Sequence, residues 1–223
     1  MDNYALVDSQ GYTAFRIAAA GYPLIFLSAF TTLVLAVLGL KGLTLAALVI
    51  TFCICFFFRD PDRAIPNSDG AVTAPADGKI IVAEQVEGSP YFQGKSLKVS
   101  IFMTVFNVHV NRISHEGKVT KISYHPGKFF SANLDKASLK NEHNAVFIRT
   151  DSGKEICIVQ IAGLIARRII CNVQEEDRVR RGQRFGLICF GSRLDVYLPV
   201  DCNLKVSVGE KVKAGTSILG FLS

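Results

Sequence analysis

The sequence predicts a mainly β domain, a sandwich or barrel, behind an N-terminal hydrophobic helical hairpin, and three observations carry that reading. Charge is segregated: before Arg59 the only charged residues are Asp2, Asp8, Arg16 and Lys41, which cancel, so the net charge of +6 belongs to the remainder. Ile17 to Leu40 runs for 24 residues without a charge. Beyond Arg59, short apolar runs alternate with turn signals at a spacing that suits strands.

The chain therefore divides into a membrane-anchoring helical hairpin at 1–58 and a β domain at 59–223. As a helix, Ile17 to Leu40 would reach about 36 Å, enough to cross the hydrocarbon layer. Leu43 to Phe58 would reach about 24 Å, and Lys41-Gly42 between the two reads as their turn. Arg16 on one flank and Arg59 and Arg63 on the other place both open ends in the cytoplasm. A secretory signal fits poorly, because MDNYALVDSQ has no basic start and the apolar stretch is too long.

In the β domain, turns are expected at Asp77-Gly78 before KIIVAEQV, at Glu116-Gly117 before KVTKISY, at Asp151-Ser152-Gly153 before KEICIVQIAG, and at Gly209-Glu210 before KVKAG. The best helical candidate is a turn or two from Asn133 to Lys140. EDRVRRGQRFG (Glu176 to Gly186) echoes GEKVKAGTSILG (Gly209 to Gly220), with Val179 matching Val212 and Gly182 matching Gly215. A charged turn, a valine, a glycine and an apolar strand resemble the hairpins of lipoyl- and biotinyl-type barrel-sandwich domains. Neither copy presents the lysine of a swinging-arm carrier.

Composition removes other classes. A basic domain suits anionic lipid headgroups. Nucleic acid is disfavoured, since no basic run interleaves with aromatics and no zinc-finger spacing occurs. Cys53 and Cys55 fall in the apolar segment, while Cys157, Cys171, Cys189 and Cys202 scatter through strand-like sequence. They read as small thiols in a reducing cytosol, with no metal site.

The stretch RFGLICFGSRLDVYLP (Arg184 to Pro199) sets Gly191-Ser192 between two apolar runs. With FFRDPDR (Phe57 to Arg63), APADGKI (Ala74 to Ile80), FMTVFNVHVNR (Phe102 to Arg112) and QIAGLIARRI (Gln160 to Ile169), it forms an ordered set of motifs. That set resembles the short-form phosphatidylserine decarboxylases. The resemblance implies a pyruvoyl-dependent carboxy-lyase that cuts itself between Gly191 and Ser192. Ser192 Oγ would attack the Gly191 carbonyl in a turn that glycine permits, and the acyl group would shift from nitrogen to oxygen. Elimination and loss of ammonia would then leave a pyruvoyl group. That ketone, joined to the substrate amine as a Schiff base, would turn phosphatidylserine into phosphatidylethanolamine and CO2.

The same resemblance assigns roles to individual residues. Asp77 is the orienting carboxylate, and His109 handles the proton added when CO2 leaves. The long-form pattern has a second histidine three residues after His109, completing an Asp-His-Ser triad. This chain has Arg112 there, which stays protonated and cannot be the base. Either His109 does both jobs or His143 is brought in from another loop. His115 and His125, beside turn residues, read as exposed. Arg112, Arg167, Arg168 and Arg193 are candidates for the substrate phosphate and carboxylate. The expected partners are a phospholipid, the cell membrane at its cytoplasmic face, and the protein's own two chains as a heterodimer, with or without further assembly. An archaetidylserine decarboxylase would share the headgroup chemistry. A membrane-tethered β-barrel binding module would leave the chain uncut, and a serine hydrolase lacks its G-x-S-x-G elbow.

Overall fold

A computed structural model describes residues 16–130, 140–164, 168–189 and 191–223. It divides into a helical unit that ends at Asp62 and a β unit that runs from Arg63 to Ser223.

The helical unit is an antiparallel pair, α1 (Tyr22–Val37) and α2 (Lys41–Phe57), with a single 3-10 turn at Ala19–Gly21 before it. It starts later than the charge-free stretch suggests, because Ile17 is extended and pairs with Arg59. Ala18 N–H donates to the Phe58 carbonyl at 2.8 Å, which closes the base of the hairpin. Pro23 then sits in the first turn of α1, where its missing N–H costs nothing. The reversal also falls elsewhere than Lys41-Gly42. Gly39 takes φ +72°, the left-handed conformation that stops a helix, and Lys41 and Gly42 already belong to α2. The two helices share a contact between the hydroxyls of Thr32 and Thr51 at 3.2 Å. No residue of α1 is buried, and Phe26, Leu27, Leu33 and Phe52 are all at least 60% exposed. Ala19–Val37, at 19 residues, is long and apolar enough to cross a membrane; Lys41–Phe57 is shorter. An exposed apolar surface of this kind suits a membrane.

The β unit contains β1 (Ala71–Thr73), β2 (Gly78–Glu87), β3 (Lys95–Met103), β4 (Val110–Arg112), β5 (Gly117–His125), β6 (His143–Arg149), β7 (Glu155–Ile161), β8 (Ile169–Cys171), β9 (Arg178–Val179), β10 (Arg184–Ile188), β11 (Ser192–Leu198), β12 (Asn203–Leu204), β13 (Lys211–Val212) and β14 (Ile218–Phe221). Of the expected helical piece, 133–139 lies outside the described residues. Among the described residues, eight strands form one curled antiparallel sheet in the order β13-β2-β3-β11-β7-β6-β5-β9. Two three-stranded sheets, β1-β14-β12 and β4-β10-β8, complete the sandwich. Val72, Ile101, Ile113, Ile158, Phe185, Leu194 and Leu219, drawn from all three sheets, form one core. On the other face of the large sheet, Ala145, Cys157, Val159, Ile161 and Tyr197 are covered by Tyr91 and Phe92 of the β2–β3 connection. Burial pushes the Tyr91 and Tyr197 phenols and the Cys157 thiol well above their ordinary values, so they stay neutral there.

The internal repeat is a matching pair of hairpin edges. Val212 of β13 pairs with Gly78, and Val179 of β9 pairs with Gly117. Gly215 N–H donates to Ala74 O and Gly182 N–H to Ile113 O, both at 2.8 Å. The symmetry therefore extends to segments whose likeness is faint in sequence, PADGKI (Pro75 to Ile80) and SHEGKV (Ser114 to Val119). Gly182 and Gly215 both have positive φ, and both back onto Ile65. A Cβ on Gly215 would lie 3.6 Å from Gly182 Cα, so the two turns touch. Gly182→Ala, which adds left-handed strain and drives a methyl into Ile65, is expected to destabilise the protein by roughly 1–3 kcal/mol. A thermal-unfolding midpoint equal to the parent's would contradict that placement.

Candidate active site

Ser192 opens β11 and pairs with Met103 at the end of β3, while Arg193 pairs with Phe102 on β3 and Ile161 on β7. Central placement in the sheet buries Ser192 completely. Its Oγ donates to the Met103 thioether at 3.4 Å. Sulfur is a weak acceptor, so the hydroxyl is located without being strongly engaged. Gly191, just before it, has φ +70°, and a Cβ there would meet only the Met103 carbonyl at 3.9 Å. Glycine is required here for the backbone angle rather than for space.

His109 faces this junction. Its Nε2 accepts the Gly191 N–H at 3.3 Å, and its Nδ1 lies 2.9 Å from the Asn107 carbonyl. A carbonyl can only accept, so Nδ1 carries the proton and Nε2 presents its lone pair to the Gly191–Ser192 segment. Asn107 is itself the last residue of a tight turn. Its N–H donates to Thr104 O at 3.0 Å, and its Oδ1 accepts both the Thr104 N–H and hydroxyl at 2.8 Å. From inside the barrel, Asn111 Nδ2 donates to the His109 carbonyl at 3.2 Å, and Gln160 Nε2 donates to Asn111 Oδ1 at 2.9 Å. Asn144 Nδ2 extends the chain to Gln160 Oε1 at 3.1 Å. All three amides are buried, which makes this a satisfied polar ladder beneath the histidine.

Cys189, two residues before the junction, donates its N–H to the Arg168 carbonyl at 3.2 Å. Burial raises its thiol pKa more than the Arg168 charge lowers it, so Cys189 is a poor rival nucleophile. The arrangement thus sets the lone pair of His109 Nε2 on the N–H of Gly191, next to a buried serine hydroxyl, at a glycyl–seryl peptide with a left-handed glycine.

A sequence profile of phosphatidylserine decarboxylase matches residues 50–220. The phosphatidylserine decarboxylase proenzyme of Syntrophus aciditrophicus is 54% identical over 206 residues, covering 92% of this chain and 96% of its own. The proenzyme of Desulfotalea psychrophila is 50% identical over 204 residues, with 92% and 95% covered. That of Cupriavidus metallidurans is 53% identical over 175 residues, with 78% and 80% covered. The chain belongs to the phosphatidylserine decarboxylase family.

Against the family's pattern, the other candidate residues divide sharply. Asp77 stands at the start of β2, with β3 between it and β11. Its carboxylate takes the Arg63 guanidinium at 2.8 Å on one oxygen and the Ala214 N–H at 2.8 Å on the other. Among the described residues, no hydrogen bond joins it to His109. Arg63, read from sequence as a flanking charge, is therefore a partner of Asp77. Arg112, in the place of the long form's second histidine, is buried, and its Nη1 donates to the Gly182 carbonyl at 2.8 Å. Its aliphatic stem passes the other repeat glycine, 3.1 Å from where a Cβ on Gly215 would be. The arginine links the two turns.

Arg193 does not face solvent. Its Nε lies 2.6 Å from Asp195 Oδ1 and its Nη2 donates to Ser100 Oγ at 2.8 Å, with Lys98 Nζ on the other Asp195 oxygen at 3.2 Å. Side chains of paired residues share a sheet face and neighbours along a strand alternate, so Arg193 points away from Ser192. The same rule places His143, which pairs with Ile161, on the Arg193 face. There its Nδ1 meets the Asn141 carbonyl at 2.7 Å and its ring stacks on His125 at 4.7 Å. His143 is two strands from Ser192 and on the opposite side, so the structure does not bring the two together. His115 is buried, contrary to the exposed reading, because its turn packs inside the repeat; its Nδ1 lies 2.8 Å from the Glu116 carbonyl. His125 is exposed. Arg168 is exposed beside Cys189, and Arg167 lies outside the described residues.

Sequence reasoning passed over Met103, Asn107, Gln160 and Asp195. All four stand inside quoted motifs, but nothing in one dimension separates them from their neighbours. Arg193→Met alone would leave Asp195 without its closest partner and is expected to cost about 3–5 kcal/mol. The double substitution Arg193→Met with Asp195→Leu should recover most of that loss in a denaturant titration. A double variant as unstable as the single one would show that the ion pair is not what holds this part of β11.

Proposed function

We propose that the protein is a phosphatidylserine decarboxylase made as a precursor, which cuts itself between Gly191 and Ser192 into chains of residues 1–191 and 192–223. It acts at the cytoplasmic face of a membrane, with Arg16 and Arg59 flanking the helical hairpin on that side. The observation that carries this reading is the hydrogen bond from Gly191 N–H to His109 Nε2, beside a fully buried Ser192.

In the cleavage step, His109 Nε2 takes the Ser192 hydroxyl proton as Oγ adds to the Gly191 carbonyl. The Gly191–Ser192 C–N bond breaks as the proton passes to the freed amine, giving an ester; loss of the residue 192 Cα proton expels the Gly191 carboxylate and leaves dehydroalanine, which takes up water and loses ammonia. Asn107 keeps the proton on Nδ1, so Nε2 remains the basic nitrogen throughout. The surroundings of residue 192 fit the pyruvoyl group that remains, since the Met103 thioether is an apolar neighbour suited to a methyl. A pyruvoyl carbonyl supplies the electron sink that lets the substrate carboxylate leave as CO2.

His109 then serves a second time, donating a proton to the substrate carbon that has lost its carboxylate. One histidine suffices because the two steps occur at one residue, separated in time. Asp77 acts through structure, fastening the β13 turn and the Arg63 segment around the site. Arg168, exposed next to the junction, and Arg167 are the cations for the lipid phosphate. Arg112 and Arg193 contribute through the fold.

Ser192→Ala is expected to remain one chain, because it has no hydroxyl to attack Gly191. His109→Ala should cut itself at least a hundredfold more slowly. His143→Ala should mature normally and keep its activity. Intact mass after timed incubation reads all three. An uncut His143→Ala beside a normally cut His109→Ala would reverse the assignment of the base.

A further inference from the structure

The turn that positions His109 carries two exposed apolar corners. Thr104–Asn107 is a tight turn closed by the Asn107 N–H on Thr104 O, and its two central residues are Val105 and Phe106. Such corners usually carry glycine, proline, asparagine, aspartate or serine. Here they carry a β-branched aliphatic and an aromatic, 41% and 74% exposed. Exposing them adds nothing to the core, and the Asn107 side chain fixes the turn so that they stay outward.

The turn is not alone at this end of the sheet. Met103 pairs with Ser192, so Val105 and Phe106 stand two and three residues beyond the cleavage junction's own level. On the far side of β11, Ile161 pairs with Arg193, and Leu164, three residues on, is 61% exposed. The ends of β5 and β6 at the same level lead into Lys128 and Lys140, both exposed and joined by a backbone hydrogen bond of 2.8 Å. Arg168 is exposed next to Cys189. Glu142, half-buried, is acidic at these described strand ends, and His125 and His143, whose rings stack at 4.7 Å, are titratable. Exposed apolar side chains and cations at the same end of the sheet suit the layering of a bilayer surface, where hydrocarbon lies beneath anionic headgroups.

We propose that the Thr104–Asn107 turn is a docking tip for a bilayer that contains anionic phospholipid. Val105 and Phe106, with Leu164, enter the interfacial layer, and Lys128, Lys140 and Arg168 meet the headgroups. This deepens the lipid-substrate reading and rests on it. The tip is a contact additional to the hydrophobic helices, and it bears on the chemistry directly. Asn107 closes the turn with its side chain and holds His109 Nδ1 with its carbonyl, so seating the tip on the membrane also seats the imidazole. A headgroup beside the tip then reaches residue 192 without the lipid leaving the bilayer.

The sequence contains no tryptophan, so one introduced indole reports without background. Full-length Phe106→Trp is reconstituted in vesicles of phosphatidylcholine and phosphatidylglycerol with lipids brominated near the headgroup end of the acyl chain. Val200→Trp, beyond the opposite end of β11, is the reference. The Phe106→Trp emission should be blue-shifted and quenched by bromine, and the Val200→Trp emission unaffected. Phe106→Ser should still cut itself, while the ratio of its activity on vesicle substrate to that on a short-chain soluble substrate falls roughly tenfold or more. Emission like that of the reference, or a blue shift that bromolipid does not quench, would overturn the proposal, the latter by pointing to a second protein surface. Quenching in a protein that turns over neither substrate would instead overturn the decarboxylase reading and leave the docking tip standing.

Discussion

The pairing of β11 between β3 and β7 is the constraint on which the rest depends. It buries Ser192 against Met103, turns Arg193 to the opposite face, and leaves Gly191 at the sheet end in a left-handed conformation. The strand is also where the two product chains would meet, since cutting before Ser192 frees its first residue while β3 and β7 retain the ladder. A reactive group made at that point stays in register because the sheet, and not the severed peptide, holds it. The buried Arg193–Asp195 pair lies one residue away and joins the same strand to Ser100 on β3.

Around that strand, the two repeat halves have diverged into different tasks. Asp77-Gly78 and Glu116-Gly117 occupy equivalent places, yet Asp77 binds Arg63 and the Ala214 N–H, whereas Glu116 meets the Arg181 guanidinium at 3.2 Å. Arg112 bridges Gly182 and Gly215, the matching turns. At the position where the long-form pattern has a histidine, Arg112 instead ties these two turns together. The ladder Asn144–Gln160–Asn111 ends on the His109 carbonyl and so supports the segment that faces the junction.

Much of this was legible in one dimension. Charge segregation and an apolar run of 24 residues define a hydrophobic helical unit, since no small domain can hide such a stretch. Turn residues at regular intervals define a β domain, and the pairing of Val179 with Val212 announces the repeat. Gly191-Ser192 and His109 stand in motifs whose chemistry follows from residue type: glycine for the backbone angle, serine for the nucleophile, histidine for a proton at neutral pH.

What only the tertiary structure decided was direction and partnership. Period-two alternation shows that neighbours in a strand face opposite ways, but not which way is the core, so only the alignment of β6, β7 and β11 puts Arg193 and His143 on the face opposite Ser192. The helix start moved because Ile17 found Arg59, a partner 42 positions along the chain, and the reversal moved because Gly39 took the left-handed angle. His115 read as exposed because turn residues usually are, and repeat packing buried it. Residue types and their local order state what chemistry a chain can do; long-range pairing, which depends on contacts far apart in sequence, determines which of those groups can reach one another.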